Sequence, residues 1–144
     1  VIASKKATFG HPAGRDLGIP PTVFFWPLTI GMRKTKEMLY TAKSMDADEA
    51  EKLGLINQAV NPDNLESKTR NLALNIAKTP VNHLMILKKA TNNFNDNMNL
   101  EKSVRQASDL DAEFHQSPTF LSFFRLVSTK GMKAALAERA RLFN

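Results

Sequence analysis

The 144-residue sequence contains no cysteine, which excludes disulfide staples, thiolate metal sites and cysteine nucleophiles from this stretch and fits a reducing compartment, with the cytoplasm as the expected location. It has no apolar run near the ~20 residues needed to cross a bilayer; the greasiest segment, residues 23–30, is short and broken by Pro27. A membrane partner is therefore not expected, and the first residues lack the basic, apolar and small-residue succession of a secretory signal. Aromatic polar residues are scarce, with one Trp and one Tyr, and they do not interleave with a Lys/Arg stripe as a base-stacking surface requires. The net charge of +6 and pI near 9.7 thus suit a phosphate-bearing ligand better than nucleic acid. The loop histidine, His11, has no second His, Asp or Glu at ligand spacing, so no metal is expected.

What is present is ordinary for a globular protein: 42% hydrophobic and 24% charged residues in a chain the size of one domain. The chain opens at Val1 without an initiator Met, and Val1-Ile2-Ala3 reads as the end of an apolar strand, so an upstream part is expected. Residues 8–21 hold Gly10, Pro12, Gly14, Gly18, Pro20 and Pro21, which predicts a structured loop. A short helix toward Gly31 and a second over residues 33–43 follow. Asp46 with Glu49 three residues on forms a capping-box pattern, and Gly54 supplies a left-handed stop for the helix between them. Residues 55–60 suit a strand. Beyond Pro62 the apolar spacing is helical almost throughout, with breaks at Pro80, at the Asn-rich stretch 92–99 read as an interhelical loop, and at Gly131.

Val1-Ile-Ala-Ser, Ala7-Thr-Phe-Gly-His-Pro and Leu17-Gly-Ile-Pro, in this order, resemble the strand and active-site loop of the enoyl-CoA hydratase/isomerase (crotonase) family. The resemblance continues through Asp46-Ala-Asp-Glu-Ala, Leu53-Gly-Leu-Ile-Asn-Gln-Ala-Val and Lys130-Gly-Met-Lys-Ala-Ala-Leu-Ala-Glu-Arg, and covers essentially the whole chain. It implies an α/β crotonase-like spiral, of which residues 1–61 form the last βαβ turn with the active-site loop. Residues 62–144 would form a mainly α-helical C-terminal region serving oligomerisation and acyl-CoA cover. It also implies an acyl-CoA substrate, with coenzyme A entering as part of the substrate and no separate cofactor, and a homo-oligomer, trimer or hexamer. The implied reaction is hydration or isomerisation of an enoyl thioester through an enolate held by backbone N–H donors. In family members those donors and one acid lie upstream of Val1, so residues 1–144 alone are expected to be inactive.

The family's second acid follows the loop proline, but here Ala13 follows Pro12. Asp16, three residues on, is the candidate replacement; its plainer role is a turn residue that caps backbone groups or pairs with Arg15. His11, Pro12, Ala13 and Gly14 are candidate substrate contacts, His11 also suiting simple packing. Trp26 offers a flat wall for an acyl group or a core residue. The family's aromatic and lysine contacts to coenzyme A fall on Ala135 and Glu138, leaving Lys133 and Arg139 as substitutes or as part of a solvated basic face. His83 and His115 are expected to face solvent or a subunit neighbour. A different class of reading is a non-catalytic CoA-binding or oligomerisation module, with Phe120, Phe123 and Phe124 suited to its interface.

Overall fold

The structure is a computed structural model, and it describes residues 1–11, 17–18 and 25–141. Strand β1 (Ile2–Ser4) lies at its start, and β2 (Thr8–Phe9) follows after a turn closed by Ala7 N–H donating to the Ser4 carbonyl. Helices α1 (Phe25–Ile30) and α2 (Met32–Thr41) come next, then β3 (Met45–Asp46), α3 (Ala47–Lys52) and β4 (Gln58–Val60). β1 runs parallel to β4, with Ala3 opposite Ala59, while β2 pairs antiparallel with β3, with Phe9 opposite Met45. A parallel pair requires a crossover, and α1, α2 and α3 lie in the chain between its two strands.

The crossover is sealed by a core of Ala3, Ile30, Met38, Met45, Ala47, Ala50, Ile56 and Ala59, with Phe9, Trp26, Leu53 and Leu55 packed against it. Met45 is the largest fully buried side chain, and Ala47 and Ala50 have no exposed surface. Alanines at these positions let α3 approach closely where a longer side chain would overpack.

Helix α3 begins as its sequence predicts: Asp46 is the N-cap and its Oδ1 accepts from Glu49 N–H at 2.8 Å. It ends in the paired-bond pattern of a Schellman stop, with Leu55 N–H donating to the Ala50 carbonyl at 2.9 Å and Gly54 N–H to the Glu51 carbonyl at 3.0 Å, Gly54 standing at φ +81°. That stop shortens the strand predicted over residues 55–60. The N–H groups of Leu55 and Ile56 turn back to the Ala50 carbonyl, so the ladder begins only at Gln58. α2 likewise stops two residues before its predicted end, where Ala42 turns left-handed at φ +49°.

The remaining described chain is helical: a 3-10 turn at Pro62–Asn64, then α4 (Leu65–Ala77), α5 (Val81–Asn97), α6 (Leu100–His115), α7 (Pro118–Lys130) and α8 (Met132–Ala140). The Asn-rich loop expected over residues 92–99 is corrected here. α5 runs through to Asn97 because asparagine only weakly disfavours helix, and the connection contracts to Met98 and a left-handed Asn99. α7 starts on Ser117, which accepts from Phe120 N–H at 3.2 Å, with Pro118 in the first turn where its lack of an N–H costs nothing. None of the described helices is long and apolar enough to cross a membrane.

Candidate active site

A pocket of about 320 Å³ opens between β2, α1 and the turn before β4, lined by Val1, Thr8, Phe9, Gly10, Trp26, Leu55 and Ile56. Its walls are mostly apolar, the character expected of a small-molecule cleft with few polar groups. Two core neighbours set it: Trp26 on α1 and Phe9 on β2 both pack against the core while facing this space. Trp26 therefore packs against the core and also lines this cavity.

His11 follows Gly10, which lines the pocket, and is not itself among the lining residues. It is half-buried, and its Nδ1 is a buried polar atom with no hydrogen-bond partner among the described residues. A buried imidazole nitrogen left unpaired costs about 1–3 kcal/mol, so it stands out from the packing role a loop histidine ordinarily has. Pro12, Ala13, Gly14 and Asp16 lie outside the described residues. Among the described residues, no cluster of three or more His, Cys, Asp or Glu has metal-binding geometry.

Leu17 and Gly18 are held by residues that local sequence reading did not find. His115, expected to face solvent or a subunit, is partly exposed and in addition places Nε2 3.1 Å from the Leu17 carbonyl, across 98 residues of sequence. Its Nδ1 is 3.4 Å from Asp111 Oδ2, one helical turn earlier on α6. The Phe120 ring meets the imidazole edge-on at a centroid distance of 4.2 Å, and Phe114 packs on Phe120 at 5.8 Å. Gly18, buried at φ +124°, lies against the Asp111 carboxylate. The only local signal was the Asp-x-x-x-His spacing on one helix face; the contact with Leu17 is tertiary.

Lys133 and Arg139 sit on α8, which packs against α7, and α8 contributes no described residue to the lining of the pocket. Ala135, at the position of the family's aromatic contact, is completely buried in this helix. Glu138, at the position of the lysine contact, is engaged by Lys130 Nζ at 2.7 Å, and the Lys130 ammonium beside it holds its carboxyl below the ordinary range. Elsewhere, Lys34 bridges α2 to α3 through Glu49 at 2.8 Å. The Glu49 and Glu37 carboxylates raise its ammonium above the ordinary range, though at an exposed site the pair adds little stability. Of the three phenylalanines proposed for an interface, Phe123 is buried within the chain and Phe124 remains exposed.

Comparison with known proteins places these features in context. A family model described as enoyl-CoA hydratase/isomerase matches residues 1–139. A short-chain-enoyl-CoA hydratase of Clostridioides difficile is 47% identical over 81 residues, covering 54% of this chain and 51% of that protein. A probable enoyl-CoA hydratase of Rhizobium meliloti is 30% identical over 145 residues, covering 99% of this chain and 53% of that protein. An enoyl-CoA hydratase structure from Mycobacterium smegmatis superimposes with a TM-score of 0.87 at 28% identity, covering 98% of this chain and 48% of that one. The chain spans about half the length of each of these three relatives.

Proposed function

This chain belongs to the enoyl-CoA hydratase/isomerase family and has the crotonase-like fold, and from that premise we propose that the full-length protein binds an enoyl-CoA thioester and hydrates or isomerises it. The observation that supports this reading is the apolar pocket walled by Trp26 and Phe9, whose lining Gly10 is followed in the chain by a histidine with a buried, unpaired Nδ1. Such an unsatisfied atom calls for an explanation, and a substrate polar group supplies one. In hydration, the water oxygen bonds to the β-carbon as its proton passes to a carboxylate. The electron pair of the double bond moves onto the thioester oxygen, and the α-carbon then takes a proton.

In this reading Asp16 is the acid–base carboxylate of the loop, since Ala13 cannot serve, and His11, Pro12, Ala13, Gly14 and Trp26 shape the substrate site. Lys133 and Arg139 meet the phosphates of coenzyme A. The protein works as a homo-oligomer in the cytoplasm, and residues 1–144 alone are inactive because the family's oxyanion donors are not among them. The alternative, a non-catalytic CoA-binding or assembly module, draws support from the apolar surface left exposed on α4 and α5.

The test is a crotonyl-CoA hydration assay on full-length wild type and Asp16→Asn. Activity is expected in the wild type, with kcat lower by about 10²–10⁴-fold in the variant, the usual contribution of a positioned acid–base group. Activity indifferent to the substitution would assign the proton work elsewhere, and tight CoA binding without any turnover would favour the module.

A further inference from the structure

We propose that the Asp111–His115 pair on α6 is the anchor of the active-site loop, a positioning device that fixes the backbone directly after Asp16. The inference deepens the reading above and rests on it for its catalytic consequence, while its structural part stands alone.

The described geometry joins four features. A carbonyl only accepts hydrogen bonds, so the His115 Nε2 at 3.1 Å from the Leu17 oxygen must be the N–H donor. Asp111 and His115 are four residues apart and therefore share a helix face; with Nε2–H given to Leu17, the 3.4 Å approach of Asp111 Oδ2 to Nδ1 is attractive, and orients the ring, in the imidazolium form that carries a proton on both nitrogens. Phe120, brought alongside by the Ser117–Pro118 start of α7, blocks rotation of the imidazole from its other side. Gly18 leaves room for the pair. A Cβ added to Gly18 would overlap Asp111 Oδ1 and stand 3.3 Å from His115 Nε2, and φ +124° is a conformation side-chain-bearing residues rarely adopt. Leu17 follows Asp16 immediately in the chain, so the bond to its carbonyl restrains the Leu17–Gly18 peptide, one residue beyond the candidate acid. A displacement of about 1 Å at such a group is enough to cost about 10²-fold in rate.

The experiment uses the full-length protein with His115→Leu, His115→Gln, Asp111→Asn and Gly18→Ala, read by amide hydrogen exchange at Leu17–Gly18 and by steady-state kinetics with crotonyl-CoA. His115→Leu and Gly18→Ala are expected to speed exchange there by about five- to tenfold, the equivalent of losing one side-chain hydrogen bond. Exchange in α3 and β4 is expected to stay unchanged, which separates local release from global unfolding. In kinetics, kcat falls about tenfold or more in His115→Leu while KM changes less than about threefold. His115→Gln, whose amide nitrogen reaches the same carbonyl, recovers most of both. Unchanged exchange at Leu17–Gly18 in both His115→Leu and Gly18→Ala would overturn the anchor, as would faster exchange with kcat untouched. If the wild type hydrates nothing, the enzymatic reading fails, and the exchange data alone decide the anchor.

Discussion

At the scale of single residues, the stability of the crossover depends on two positions that do no chemistry. Asp46 satisfies the Glu49 N–H at the start of α3, and Gly54 adopts the φ of +81° that lets both bonds of its C-terminal stop form. Asp46→Ala is expected to cost about 1 kcal/mol, and Gly54→Ala about 1 kcal/mol through left-handed strain. The two changes act at opposite ends of one short helix, so the double variant checks coupling as well as cost. Urea denaturation of the full-length protein measures all three, and a Gly54→Ala midpoint equal to wild type would refute the strain argument. Both residues were legible in the sequence because capping is local chemistry with fixed offsets. His115 was not. Its partner lies 98 residues away, and nothing in the neighbourhood of either residue announces the other. His11 was named from its place in the loop, but the burial that leaves its Nδ1 unpaired is a property of packing that no local pattern carries.

Among the elements, the helices after Pro62 were readable because their apolar spacing and their stops, Pro80 and Gly131, are written along the chain. The strands were less so. β2 and β3 contain two residues each and exist only because Phe9 and Met45 meet across the core. β4 poses a different problem. It pairs with β1 on one side, which leaves backbone groups on its other edge needing partners. Glu51 supplies one: its Oε2 accepts from the Ala59 N–H at 2.7 Å, so a side chain of α3 closes the edge that a further strand would otherwise cover. A charge-assisted bond to a partly buried amide contributes about 1.5–3 kcal/mol, and Glu51→Ala removes it while leaving the amide unpaired. The expected result is a loss of about 2 kcal/mol in thermal or chemical unfolding, with Glu51→Gln losing less because its side-chain carbonyl still accepts. Equal stability of Glu51→Ala and wild type would show that water replaces the carboxylate at this edge.

For the whole molecule, the conspicuous imbalance is between the crossover and the first two long helices. α4 and α5 together span 65–77 and 81–97 and contain no buried residue. Amphipathic helices in globular proteins normally bury one face. Here Leu74, Ile76, Val81, Met85, Ile86 and Phe94 are each at least half exposed, Val81 at 72% and Met85 at 67%. Exposed apolar side chains, where they adjoin, mark an interaction face or an aggregation hazard. Residues 1–144 as an isolated protein are therefore expected to self-associate, appearing larger than 16.1 kDa in sedimentation velocity at micromolar concentration. Val81 and Met85 stand one turn apart on one face of α5, and neither contributes to the core. Replacing both with glutamate should leave the fold intact while shifting the population toward monomer. If the unmodified chain sediments as a single monomer and melts cooperatively, the exposed faces are tolerated in water and the expectation of self-association fails. If the double variant stays associated, the contact runs through another surface, of which α7 with its exposed Phe124 is the next to test.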